Sequence, residues 1–536
     1  MKPDIKAYLL IIALIALLAV TFPVGGPYVL NDSYVYAKNV ENFLSGNFQL
    51  WETTGPTDLF PVAVATIASK SFGYSFGLLR FTTVALSAIG LLAFYHFLRY
   101  LKMSETKALL GTLMLMFNPL YIYSTFSFMT EVSFLTAALI SIYLYQKGFD
   151  ENKKSYLFLG SAFCSLAFLS RQIGLLIAPA TIAHLIWKRK SNTKIQDLLL
   201  VGVLPLATFQ WYHFVYPSPA GYHYLNLTKG FEFLTQPKEM LSTTRLRIIQ
   251  STYYLGIFAV PLIIGAVASQ TKTLKSKKVL VAFLSIAAVL SAFSVLFWIK
   301  EKKLMFYIPN ILTYAGFIPS ELEGGDSIKQ TLFVNFPIRV KATLTLIAIF
   351  LARDWEFRAA TTRKKEEKSA PILTIYSIAA GILLFFTKSF YDRYLILILP
   401  LLIVTFTRLI STKKALITAY AALIVYGTIS SIYEYDYLAL NKTVGELAQK
   451  YGSDKTFSTF SLNGYYHLDR SLGMTPEEVF DQRKWQFQKD QASYLISYEP
   501  SKERKLIETT FYKTPFGKNF RIPLYILVPK DNRHQP

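Results

Sequence analysis

Runs of about 17–25 apolar residues, set between short polar breaks along most of the chain, constrain this sequence more than any other feature. Each is long enough to cross a hydrocarbon core of ~30 Å, and because lipid offers the backbone no hydrogen-bond partner, such runs cross only as helices. Composition agrees: 52% of the 536 residues are hydrophobic and only 17% are charged, against roughly 25% charged in soluble domains. Aromatic residues, at 15%, suit interfacial belts and a ligand cavity equally well.

Length and hydropathy predict a mainly α, polytopic transmembrane bundle of about thirteen spans. They fall near residues 7–28, 79–98, 107–123, 130–146, 155–170, 172–187, 197–214, 251–269, 279–298, 339–353, 371–387, 391–408 and 414–432. The first run, AYLLIIALIALLAVTFPV, exceeds the core of a signal peptide and lacks a small-residue cleavage site, so it reads as a retained span. With the N-terminus inside, the cytoplasmic loops become RYLKMSETK, KGFDENKK, KRKSNTK, QTKTLKSKK, RDWEFRAATTRKKEEK and RLISTKK, all short and basic. That is the positive-inside pattern, with KEKK at 300–303 as the exception on the outer side. It also accounts for much of the formal charge of +22. A nucleic-acid partner is not expected, since no basic face with a binding motif is present. Cys164, the one cysteine, lies in an apolar run, so no intrachain disulfide or cysteine metal cluster can form.

This orientation leaves 29–78, 215–250, 299–338 and everything after about 433 outside. Two domains are expected: a membrane module over 1–432, with 29–78 as its first outer loop, and an extracytoplasmic C-terminal α/β domain over 433–536. In the first loop, Pro61 followed by VAVATIASKSF reads as a helix lying along the membrane surface. In the tail, TPEEVFDQRKWQFQKDQ reads as a helix, and TFSTFS, SYLISY and PLYILVP read as strands. No internal repeat is evident.

The residues able to carry chemistry interrupt apolar runs near their outer ends. Asp32, where the first span emerges, could act as a general base toward a hydroxyl, help ligate a divalent cation, or simply cap the helix YVYAKNVENFL. Tyr34, Tyr36 and Asn39 follow on that helix and could line a sugar site or anchor it at the interface. Glu131 opens a hydrophobic span, where a carboxylate needs a cavity or a partner unless the helix dipole and Ser127 or Thr130 suffice. Arg171, between two apolar runs, and Arg393, flanked by Asp392 and Tyr394, could bind a lipid phosphate bidentately or snorkel as interfacial anchors. Weaker candidates are Lys302, Lys303 and Lys388 for phosphate, and His213 and His223 for a metal. Sequons occur at Asn31, Asn226 and Asn441.

The order of these features resembles a known family. A first span is followed by Asp32 in a long outer loop with a surface helix, then by Arg80 opening the next span in SFGYSFGLLRF. Asn118-Pro119 precedes the Glu131-led span, FLSRQIGLLIAP follows, and YDRYLILILPLL comes late. Over roughly residues 7–430 this layout is similar to the GT-C superfamily of integral membrane glycosyltransferases, nearest to the protein mannosyltransferase and aminoarabinose transferase group (glycosyltransferase family 39-like). The resemblance implies a catalytic or acceptor-positioning role for Asp32, a second acidic role for Glu131, and donor-phosphate binding by Arg171, Arg393, Arg80 and Lys388. Tyr34, Tyr36, Asn39 and Tyr394 would line the substrate. Relatives often carry two adjacent acids in the first loop, where this chain has Asp32-Ser33. A divalent metal on Asp32, Glu131 and His213 therefore stays an open expectation.

The reaction this implies is inverting transfer of a sugar from a polyprenyl-phosphate donor to a hydroxyl on a protein, lipid or glycan at the extracytoplasmic face. No nucleotide-sugar site is expected, since no phosphate-cradling glycine-rich loop is present. The main rival reading is a transporter or lipid flippase, whose polar residues would line a pathway near the bilayer midplane, and a second is a non-catalytic membrane protein that binds ligands through its C-terminal domain.

Overall fold

The computed structural model describes residues 5–51, 54–55, 57–187, 195–216, 237–269, 370–385, 390–467, 492–498, 500–501, 503–512 and 522–529. The expected spans at 279–298 and 339–353 lie outside the described residues, as do Lys388, Lys302, Lys303, His223, Asn226 and the charged stretch 475–491.

The first half runs through α1 (Ile5–Thr21), α2 (Ser33–Leu44), α3 (Leu59–Phe72), α4 (Phe76–Tyr100), α5 (Glu105–Met116), α6 (Pro119–Thr125), α7 (Thr130–Glu151) and α8 (Lys154–Phe168). A 3-10 turn, Gln172–Leu176, then leads into α9 (Ile177–Trp187), followed by α10 (Ile195–Phe214) and α11 (Pro237–Ser269). After α12 (Pro371–Phe385), a second 3-10 turn, Asp392–Leu397, leads into α13 (Leu399–Leu409) and the 39-residue α14 (Lys413–Tyr451). Three of the expected strands are present. β1 (Thr456–Phe457), β2 (Tyr494–Ser497) and β4 (Ile522–Pro529) join β3 (Arg504–Tyr512) in a sheet of order β1-β2-β4-β3, and α15 (Phe460–His467) packs against α2. β1 pairs with β2 in parallel, and the other pairs are antiparallel.

Among the described residues, α4 and α14 are long and apolar enough to cross a membrane, and a third crossing arises if α5 and α6 count as one span bent by 67°. The bend divides the run expected as one straight span over 107–123. Pro119 has no N–H to continue α5, so it starts a new helix instead, with the Asn118 side chain accepting from the Leu120 N–H at 3.1 Å. α14 runs unbroken through the boundary expected near 433 and ends at Tyr451, where Gly452 takes φ 89. The shift toward polar residues at 433 marks a change in what the helix packs against and not its end.

Small residues let the helices approach closely, as membrane bundles require. A Cβ on Gly148 would lie 2.6 Å from Leu157, and one on Gly160 would lie 2.8 Å from the Tyr145 ring, so α7 and α8 pack at glycines. On α14, Ala415, Ala419, Leu423 and Gly427 face inward at helical spacing while Ile417, Ile424 and Val425 are exposed. The exposed apolar side fits a lipid environment.

Two cores result. The larger lies inside the bundle. The second joins the first outer loop to the C-terminal part: Tyr34, Tyr36 and Val40 of α2 share it with Val444 of α14, Tyr465 of α15 and Ile526 of β4.

Candidate active site

Four charged residues, distant in the chain, meet in one place. Asp32 stands at the N-cap position of α2, preceded by Asn31 at φ 49, and the Asn31 side chain accepts from the Asp32 N–H at 2.9 Å. The Asp32 carboxylate makes no capping bond. It accepts instead from Nη2 of Arg393 at 2.6 Å, an ion pair spanning 361 residues of chain. Arg393 Nε also lies 3.5 Å from Glu131 Oε1. The same Glu131 oxygen accepts a hydrogen bond from Nη1 of Arg171, which also donates to Thr130 at 3.1 Å. The charges therefore alternate: Asp32, Arg393, Glu131, Arg171.

The backbone explains how two arginines reach this place from apolar sequence. Each sits where a helical run breaks and restarts as a 3-10 turn. Arg171 is extended (φ −152, ψ 136) between α8 and the Gln172 turn, and Arg393 is the second residue of the Asp392 turn. The first break is tight enough to need a glycine, since a Cβ on Gly174 would lie 2.4 Å from the Ala167 carbonyl carbon. Glu131 occupies the first turn of α7, where the helix dipole also favours a carboxylate. Tyr394 brings its ring to 5.1 Å from the Arg171 guanidinium carbon and 5.8 Å from that of Arg393, a cation–π arrangement. Tyr391 flanks Arg393 from another side at 5.2 Å.

The cluster has unused capacity. Nη1 of Arg393 and Oε2 of Glu131 are buried and without a hydrogen-bond partner. A buried guanidinium edge without an acceptor is costly, and a phosphate oxygen is the acceptor its geometry suits best.

Other expected site residues lie around or apart from this cluster. Tyr36 is buried within the field of Asp32, Arg393 and Glu131. Tyr34 is buried edge-on to Trp51, with ring centroids 6.2 Å apart. Asn39 turns toward its own loop, donating to Thr54 and Asp58 at 3.0 Å each and accepting from the Trp51 N–H at 2.6 Å. Arg80 is fully buried and donates to the carbonyls of Val24 (2.7 Å), Gly26 (2.9 Å) and Tyr28, with its guanidinium carbon 3.7 Å from the centre of the Tyr28 ring. Those bonds clamp the turn after α1. Asn31 and Asn441 are buried, where a glycan could not be attached.

Asp32, Glu131 and His213 form no metal-binding group among the described residues. His213 packs against Phe209 and Tyr212, at 4.4 and 5.4 Å between ring centroids. Asp32 and Glu131 face guanidinium groups, and no group of three or more His, Cys, Asp or Glu side chains that could hold a metal occurs among the described residues. The donor set present fits an anion.

Sequence reasoning missed Asp58, which is fully buried at φ 50 just before α3. Burial pushes its carboxyl well above the usual carboxylate range, against the opposing pull of the Asn39 hydrogen bond and Arg171. In GPTDLFP an acid beside Gly, Pro and Thr reads as a helix cap. Its departure from that role, with no capping bond, appears only in three dimensions.

Residues 59–213 match the model of the dolichyl-phosphate-mannose-protein mannosyltransferase family, a stretch that contains Glu131 and Arg171. No curated protein matches the chain. Among solved structures, ArnT from Cupriavidus metallidurans bound to undecaprenyl phosphate is similar with TM-score 0.39 and 11% identity, over 100% of each chain. The archaeal oligosaccharyltransferase AglB from Archaeoglobus fulgidus, in complex with an inhibitory peptide and a dolichol-phosphate, gives TM-score 0.43 and 14% identity, over 91% of this chain and 69% of its own. At identities and TM-scores this low, the family match is the stronger finding. It bears out the chain's resemblance to the GT-C superfamily of integral membrane glycosyltransferases, read first from the order of its motifs.

Proposed function

We propose that this chain transfers a sugar from a polyprenyl-phosphate donor to a hydroxyl-bearing acceptor, with inversion, at the extracytoplasmic side of the membrane. The observation that carries the reading is the convergence of Asp32, Glu131, Arg171 and Arg393 with a guanidinium edge left free. In the reaction, the acceptor hydroxyl oxygen attacks the anomeric carbon and the bond from that carbon to the phosphate oxygen breaks. Asp32 takes the hydroxyl proton, and the polyprenyl phosphate departs with the bonding pair. Negative charge grows on the phosphate in the transition state, where Arg393 and Arg171 are already oriented to receive it. Glu131 holds both guanidinium groups in place and keeps them from repelling each other.

Asp32 suits the base role because its side chain is about one-third exposed at 33%, while Glu131 is at 1%. A lipid-linked donor also explains why the catalyst lies in the membrane: donor and enzyme share one solvent, so encounter and orientation improve together. A transporter reading fits less well. Asp32 and Glu131 stand at helix starts, not at the middle of long helices.

The test is turnover of short-chain polyprenyl-phosphate sugars by purified protein. Asp32→Asn is expected to abolish transfer, by a factor of at least ~100, with expression and membrane insertion unchanged. Full activity in that variant would remove the proposed base.

A further inference from the structure

We infer that Asp58 is a positioning residue for Arg171: its side chain organises the first outer loop so that the loop straps down the backbone break on which Arg171 stands. The inference rests on the phosphate-binding reading above and adds a residue to which neither the motif order nor the family match assigns a role.

The strap has four links, placed on both sides of Arg171. Thr57 Oγ1 donates to the Phe168 carbonyl. The Asp58 N–H donates to the Ser170 carbonyl at 3.4 Å and the Phe60 N–H to that of Leu169 at 3.0 Å. From the other side, Gln172 Nε2 donates to the Gly55 carbonyl at 2.9 Å. Carbonyls left open where α8 ends are thus answered by another loop, in the way helix ends require. With residues 168–170 and 172 tied, and its own N–H bonded to the Ala167 carbonyl at 3.0 Å, Arg171 has little backbone freedom. Its guanidinium then meets Thr130 and Glu131.

The loop holds this shape through Asp58. Its backbone is left-handed, at φ 50 and ψ 1, a conformation that aspartate tolerates better than most residues. Its Oδ2 accepts from Asn39, which in turn holds Thr54 and Trp51, so Trp51, Thr54 and Asp58 are tied to α2 through one side chain. Oδ1 is buried with no partner. An ionised carboxylate would be poorly satisfied there, whereas a neutral acid is tolerated. The ionisable groups facing it are Arg171 and Glu131 from the cluster, Tyr36 from α2 and Tyr216 beyond α10. Raising the pH places a charge within the field of both Arg171 and Glu131. Asp58 then competes with Glu131 for Arg171 and draws it from its place. The sign is fixed by the raised carboxyl: the neutral, organising form is present at low pH and is lost as pH rises through the elevated value.

The test measures binding of farnesyl monophosphate to full-length protein in detergent, for wild type, Asp58→Asn, Asp58→Gly and Arg171→Ala, between about pH 6 and 9. Glycine keeps the left-handed backbone and removes the side chain, whereas asparagine keeps a neutral, hydrogen-bonding one. The titration of the probe is common to all four proteins. Near the acid end, Asp58→Asn is expected to bind like wild type, and Asp58→Gly about tenfold more weakly. A fall in wild-type affinity on raising the pH that Asp58→Asn does not share supports the role. Wild-type binding by Asp58→Gly, with Arg171→Ala impaired, overturns the positioning role and leaves the phosphate reading standing. Undiminished binding by Arg171→Ala overturns both. If Asp58→Gly fails to fold, Asn39→Ala, which removes the same hydrogen bond from its other side, decides, and wild-type binding there overturns the role.

Discussion

At the scale of single residues, the site is a chain of alternating charges in which each arginine has a different duty. Arg171 makes two directed contacts, to Thr130 and Glu131, and stacks near Tyr394. A lysine has neither the fork nor the plane for this arrangement, so Arg171→Lys should weaken farnesyl phosphate binding about tenfold despite keeping its charge. Isothermal titration checks this, and an affinity equal to wild type would reduce Arg171 to a point charge. These four residues stood out because ionisable side chains are few near the outer ends of apolar runs. Their pairing was not legible, since 361 residues separate Asp32 from Arg393. The helix-cap alternative for Asp32, reasonable on local grounds, is answered only by where its carboxylate points. Arg80 shows the converse: motif order suggested phosphate, while its donors hold the carbonyls of the turn after α1.

At the scale of elements, breaks matter more than spans. Both site arginines sit where a helix restarts as a 3-10 turn, and the α5–α6 bend comes from Asn118-Pro119. Such breaks were readable in part, as Asn-Pro and Ser-Arg-Gln in apolar surroundings, but a hydropathy window averages over them. The last expected span ends at 432, and α14 continues beyond it to Tyr451, which brings Gly445 against the turn after α1. A Cβ at Gly445 would lie 2.4 Å from the Pro27 carbonyl oxygen, backbone that Arg80 already clamps on either side. Gly445→Ala should therefore destabilise the protein by about 1–3 kcal/mol. A lowered Tm in detergent, against an unchanged Tm for alanine at the unobstructed Gly25, checks the claim.

At the scale of the whole molecule, the first outer loop and the C-terminal α/β elements share one core, distinct from that of the bundle. Two domains were expected from the sequence because composition changes near 433. Packing joins them: α2, which starts at the site, lies in the same cluster as α14, α15 and β4. The C-terminal elements thus support the loop that bears Asp32. Mainly helical architecture and a membrane setting were evident from the apolar runs alone, since lipid permits few alternatives. The convergence of charges depends on tertiary packing that no local pattern encodes.

That convergence can be measured directly. In the resting arrangement Asp32 occupies one edge of Arg393, which an incoming phosphate must share or take. Binding of farnesyl monophosphate should consequently be several-fold tighter in Asp32→Asn than in wild type, and should be lost in Arg393→Ala. Equal or weaker binding by Asp32→Asn, or retained binding by Arg393→Ala, would contradict a phosphate site built on this ion pair.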